Sequence, residues 1–118
     1  MGSHAADVQA RLRDDLADRR TTYAWETEAS VAGTPVDVLG STRGRLVAVE
    51  VEWRRADPAD NTAKLLRHLA EGSVDASRIA VVQVFTAFYD LASGGVSSKR
   101  ANAEFVGGIG SRALSGFE

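Results

Sequence analysis

The sequence predicts an α/β domain: a mixed sheet, made of an antiparallel three-strand meander plus a parallel strand, flanked by helices. Three observations carry that prediction. The hydrophobic period switches from every fourth residue to every second one after Arg20. Three strand-like runs then follow one another between Tyr23 and Trp53, separated only by short Gly-containing turns. Finally, a helical segment lies between two strongly apolar strands, and a connection of that length implies a right-handed crossover and a parallel pair.

Taken in order, Ala6 to Arg20 reads as an amphipathic helix, with Val8, Leu12 and Leu16 on one stripe. Tyr23 to Val31 alternates, with Glu26, Glu28 and Ser30 on one face and Tyr23, Trp25, Thr27 and Ala29 on the other. Ala32-Gly33-Thr34-Pro35 supplies turn chemistry before a second strand, Val36–Leu39, and residues 40–44 form a second turn. Arg45 to Trp53 is the strongest strand, β-branched and nearly continuous in apolar character. Asp57-Pro58-Ala59-Asp60 is a helix start with Asp as cap and Pro at the first position. Gly72 supplies the stop. Arg78 to Thr86 is an uninterrupted apolar strand of the kind buried on both sides of a sheet. Beyond Ser93-Gly94-Gly95, Ser98 caps a last helix whose end is blurred by Gly107, Gly108 and Gly110.

Composition narrows the function classes. The chain has 118 residues, so one core and one domain are expected. It has no cysteine, which excludes disulfide scaffolds, thiolate metal sites and Cys nucleophiles together. No apolar run approaches the length of a membrane span and no secretion signal is evident, so a cytoplasmic protein without a membrane partner is expected. Met1 to His4 reads as an expression remnant, leaving 5–118 as the domain. The formal charge of −2 lacks the basic excess usual in nucleic-acid binders.

Glu50 and Glu52 are out of place in Leu46-Val47-Ala48-Val49-Glu50-Val51-Glu52-Trp53, where every neighbour favours burial. An unpaired buried carboxylate costs several kcal/mol, and two on one face also repel. Register arithmetic with four-residue loops sets Asp37 opposite Ala48, diagonal to Glu50 on that same face, and adds Glu26 and Glu28. Convergent carboxylates with no lysine among them suit a hard divalent cation, Mg²⁺ or Mn²⁺, which polarises phosphoryl oxygens and activates water. The competing reading is that the acids are solvated or paired with Arg43, Arg45, Arg54 or Arg55.

With these residues placed, the chain resembles the PD-(D/E)XK, or restriction endonuclease-like, nuclease superfamily. The motif stands as Pro35-Val36-Asp37 followed by Glu50-Val51-Glu52, in the element order helix, meander, helix, strand. It is similar to the variant in which Glu replaces the motif Lys. The resemblance implies a restriction endonuclease-like core and metal-dependent hydrolysis of DNA phosphodiester bonds. It implies that Asp37, Glu50 and the carbonyl of Val51 hold Mg²⁺ or Mn²⁺, with Glu28 completing the shell. Glu52 would bind a second metal or deprotonate the attacking water. Lys64 would stand in for the missing lysine, as the helix lysine does in some members; its other reading is an exposed helix residue. Without a motif lysine, a non-catalytic module of the same fold, binding nucleic acid or serving assembly, is the alternative function.

Arg54, Arg55, Asn61, Lys99 and Arg100 are the candidate nucleic-acid contacts, reaching phosphates beside the site and at the last helix. Setting Asp37, Glu50, Glu52 and Glu28 apart leaves the rest of the chain at +2, which no longer excludes a DNA partner. The short chain leaves little room for a separate sequence-reading domain and is compatible with a homodimer.

Overall fold

The computed structural model describes residues 3–54, 56–74 and 76–118. The elements are α1 (Ser3–Arg19), β1 (Ala24–Val31), β2 (Thr34–Thr42), β3 (Arg45–Glu52), α2 (Ala59–Ala70), β4 (Arg78–Phe85), a 3₁₀ turn at Ala87–Tyr89, and α3 (Ser98–Ala113). The strands form one sheet in the order β1-β2-β3-β4, antiparallel across the first three and parallel between β3 and β4. The protein is thus α/β, with a four-strand mixed sheet and flanking helices.

Both hairpins are tighter than their sequences suggest. β1 and β2 meet across Ala32-Gly33, whose φ values of 49° and 84° lie in the left-handed region that a two-residue hairpin requires. Thr34 and Pro35 therefore belong to β2. Pro35 has no N–H to donate, but pairing with β3 begins only at Val38, so no bond of that ladder is lost. β2 and β3 meet across Arg43-Gly44, with Gly44 at φ 71°. Each loop is two residues shorter than expected, so each register moves by two, an even shift that leaves Asp37 able to share a face with Glu50. Leu39, instead of Asp37, opposes Ala48.

The core gathers Val31, Val36, Leu39, Ala48, Leu65, Ile79 and Phe117 between sheet and helices. α2 begins one residue later than its Asp57 cap predicts: Asp60 N–H reaches the Asp57 carbonyl at 3.3 Å, and no side chain caps the turn. Its other end closes as expected, with Gly72 at φ 74° and the amides of Gly72 and Ser73 returning to Leu69 and His68. α3 starts at Ser98 with Ser97 as the cap, and its glycines lie inside the helix. Gly110 lets α3 approach α2 closely, since a Cβ there would meet the end of the Leu66 side chain.

β4 departs from expectation. It is an edge strand, and Val82 and Val84 are 45% and 44% exposed where the sequence predicts burial on both faces. Its apolar run reflects parallel pairing with β3 on one side and the C-terminal tail on the other. Ile79 and Val81 donate to the carbonyls of Gly116 and Glu118 at 2.7 and 2.8 Å, covering only the first half of the outer edge. Among the described residues, no helix is long and apolar enough to cross a membrane.

Candidate functional site

β2 and β3 bring Asp37 level with Glu50, and the two are joined through the backbone. The Asp37 amide donates to Glu50 Oε1 at 3.1 Å, and the Val51 amide donates to Asp37 Oδ2 at 2.7 Å. The remaining oxygen of each acid receives a side-chain amide: Gln9 Nε2 on Asp37 Oδ1 at 2.9 Å, and Asn61 Nδ2 on Glu50 Oε2 at 3.1 Å. Helices α1 and α2 thereby each hold one carboxylate in place.

Every one of these donors is neutral. Hydrogen bonds satisfy the oxygens, but no cation among the described residues offsets the charge. Glu50 is only 4% exposed, and its carboxyl is pushed up from 4.5 to about 7. Burial is the largest cause, followed by the neighbouring Asp37 charge; the bonds from Asn61 and from the Asp37 amide pull the other way, and Glu52 adds a smaller upward push. Of the arginines that could have neutralised the pair, those described stand elsewhere. Arg45 is exposed at the start of β3, and Arg54 lies over the Phe88 ring.

Glu52, two residues on and 2% exposed, accepts from Gln83 Nε2 at 3.3 Å. The same Gln83 nitrogen lies 3.2 Å from the Pro58 carbonyl, so one amide links β4, β3 and the start of α2. Gln9, Glu28, Asp37 and Glu50 line a cleft of about 280 Å³ that opens onto the acid pair. Glu28 sits between Thr27, opposite Val38, and Ala29, opposite Val36, which brings it level with Asp37. It is exposed, and its φ of 51° is strained for a residue other than glycine.

The other sequence candidates separate. Asn61 is inside the acid cluster at 5% exposure, donating to Glu50, where the sequence reading puts it on a nucleic-acid surface. Lys64 pairs with Asp60 one turn away at 3.1 Å on the exposed side of α2. Arg100 is bound to Glu104 at 3.0 Å, lies 4.0 Å from Asp90, and covers the Phe85 ring. Lys99 and Arg54 are exposed, and neither has a carboxylate partner among the described residues. Arg55 lies outside the described residues. His4, set aside as a remnant, stands in the first turn of α1 with its ring 5.7 Å from that of Trp53.

Gln9 and Gln83 are site residues that the sequence reading misses, although both carry a signal. Gln9 is three residues before Leu12 and seven before Leu16, on the apolar stripe of α1, and it is the buried residue of that helix. Gln83 is the polar residue inside the apolar run of β4. The mismatch with apolar neighbours that singles out Glu50 and Glu52 marks both glutamines equally.

As oxygen donors, Asp37, Glu50 and the carbonyl of Val51 match a hard divalent cation in kind. Among the described residues, however, no three His, Asp or Glu side chains gather closely enough to hold a metal ion between them. Asp37 and Glu50 form a pair, while Glu52 is engaged by Gln83. Comparison with protein-family models, curated proteins and solved structures returns no match.

Proposed function

We propose that the protein is a small metal-dependent nuclease of restriction endonuclease-like type, hydrolysing phosphodiester bonds in DNA with Mg²⁺ or Mn²⁺. One observation carries the reading: two strands bring Asp37 and Glu50 side by side in a half-buried cleft with no cation among the described residues to offset them. A Mg²⁺ site built from one or two carboxylates, waters and substrate phosphate needs no cage of three acids. Asp37 and Glu50 would hold the ion, with the Val51 carbonyl and Glu28 at the cleft as further oxygen donors. When bound, the ion supplies Lewis-acid polarisation of the phosphoryl oxygen and a lowered pKa for water.

The chain's own groups would do the rest. Gln9 and Asn61 orient the paired carboxylates, and they withdraw no charge from the pair. Glu52, steadied by Gln83, accepts the proton of the attacking water, whose oxygen forms the new bond to phosphorus as the ester oxygen leaves. The test is Mg²⁺- or Mn²⁺-dependent cleavage of plasmid and single-stranded DNA by the parent, by Glu50→Ala and by Glu52→Gln. Cleavage in the parent that both variants lose by at least a hundredfold supports the reading, while undiminished cleavage by Glu50→Ala overturns it.

One observation favours the non-catalytic alternative. Lys64, the only lysine of α2, is paired with Asp60 at half exposure and not with the acids. If calorimetry finds no divalent-ion binding at millimolar concentration, the domain is a binding or assembly module of the same architecture.

A further inference from the structure

The chain beyond Glu52 builds a second feature that the acid pair does not use. Trp53 and Arg54 follow the acid strand directly, and the 3₁₀ turn carries Phe88 to the same place. With Thr86 and Ala87 they line an open hollow of about 450 Å³. Two bonds fix it to the acid strand: the Thr86 amide donates to the Glu52 carbonyl at 3.1 Å, and Thr86 Oγ1 donates to the Trp53 carbonyl at 2.7 Å.

Phe88 is 52% exposed, yet it is not loosely held. Its ring meets the edge of Tyr89 at 5.2 Å and 89°, and Tyr89 is fully buried against Phe85 at 5.3 Å and 89°. A large apolar ring is thus presented to solvent on a buried aromatic support, in a short turn. Among the described residues, the lining contains one cation and no acid. The Arg54 guanidinium stands 5.9 Å from the Phe88 centroid, at the outer limit of a cation–π contact, and has no carboxylate partner among the described residues.

A half-exposed aromatic ring beside a guanidinium that has no carboxylate partner among the described residues suits one ligand chemistry: an unpaired nucleobase with its phosphate. Every base offers a π-face to stack, and the guanidinium meets the backbone anion. In an intact duplex those faces are occupied by neighbouring base pairs. We infer that Phe88, with Trp53 and Arg54, is a stacking platform for an unpaired strand, feeding the adjoining phosphodiester to the acid pair. The substrate class of the proposed nuclease is accordingly single-stranded or frayed nucleic acid. This inference rests on the proposed function for its second half only, since the platform binds its strand whether or not the acids cleave it.

The test measures binding without divalent ions, so that no cleavage intervenes. Fluorescence anisotropy with EDTA compares labelled oligothymidylate, oligouridylate and a blunt DNA duplex of equal length. Expected are at least tenfold tighter binding of either single strand than of duplex, a loss of about tenfold in Phe88→Ala, and retention in Phe88→Trp. Arg54→Ala should weaken binding and lower the salt slope by about 1. Duplex bound as tightly as single strand, no binding of any oligonucleotide, or unchanged binding by Phe88→Ala overturns the platform. Duplex cleavage that persists alongside such a result leaves the nuclease reading intact. Strand binding through Phe88 without metal-dependent cleavage overturns the nuclease reading and leaves the platform standing.

Discussion

Glu50 gives the structure its most direct quantitative test. Its carboxyl ionises near 4.5 when exposed and at about 7 in the folded protein, because burial and Asp37 disfavour the charge. The folded state therefore binds one more proton than the unfolded state between those values, and stability must fall as pH rises through the window. A tenfold change in proton affinity is worth about 1.4 kcal/mol, so the metal-free protein should lose about 3 kcal/mol from this group between pH 4.5 and pH 8. Below pH 4.5 the contribution is fully present; above about pH 8 its loss is complete.

Glu50→Gln isolates the effect. The new amide oxygen can still accept from the Asp37 backbone, and Asn61 can turn its own oxygen toward the new N–H. Urea unfolding of both proteins in EDTA, followed by tryptophan fluorescence across about pH 5 to 8.5, gives the difference directly. The variant should be more stable than the parent at about pH 8 by up to about 3 kcal/mol, with the gap closing toward about pH 5. Adding Mg²⁺ at that higher pH should raise the parent and leave the variant little changed, because binding to the folded state alone stabilises it. Two curves that run parallel over the whole range would refute the account of Glu50 as a buried, uncompensated acid.

Three further outcomes follow from the same geometry. Asn61→Leu removes the donor on Glu50 Oε2 and should cost about 1–3 kcal/mol at about pH 8 but much less at about pH 5, where the carboxyl is protonated, as read by denaturant unfolding at the two values. Gln83→Leu frees Glu52 from its amide and should reduce divalent-dependent cleavage about 10–100-fold while leaving oligonucleotide binding in EDTA unchanged. Gly116→Ala places a Cβ against the Ser77 carbonyl at a φ of 94°, and should cost about 1–3 kcal/mol while speeding hydrogen exchange at the Ile79 and Val81 amides that the tail now protects.

The sequence carried the sheet order and the acid face because both depend on period, which single residues reveal. It did not carry loop length. Pro35 looks like a turn residue, yet it lies in a stretch of β2 that β3 does not reach. Ala32 gives no hint of a left-handed φ, which its side chain tolerates only under the constraint of the hairpin. Similarly, an apolar run cannot distinguish a central parallel strand from an edge strand whose partner is a three-residue tail. Nothing local in Arg78–Phe85 announces Gly116–Glu118.

The acid pair withstands those differences in loop length for a physical reason. A strand's side chains repeat every two residues, so any even error in loop length preserves which side chains share a face. Parity decides whether Asp37 and Glu50 can meet; the length decides only whether they meet diagonally or directly. The amide shell is a different matter. Gln9, Asn61 and Gln83 reach the acids from three separate elements, 28, 11 and 31 residues distant in the chain from their partners, and no period links them. What marks them is the same mismatch that marks Glu50: a polar side chain where the surrounding pattern calls for an apolar one. Such residues are retained against a desolvation cost, and at Gln9 and Gln83 the structure places that cost beside the carboxylates they hold. Substituting either by leucine should therefore disturb the acids more than the fold, which separates a positioning shell from ordinary core packing.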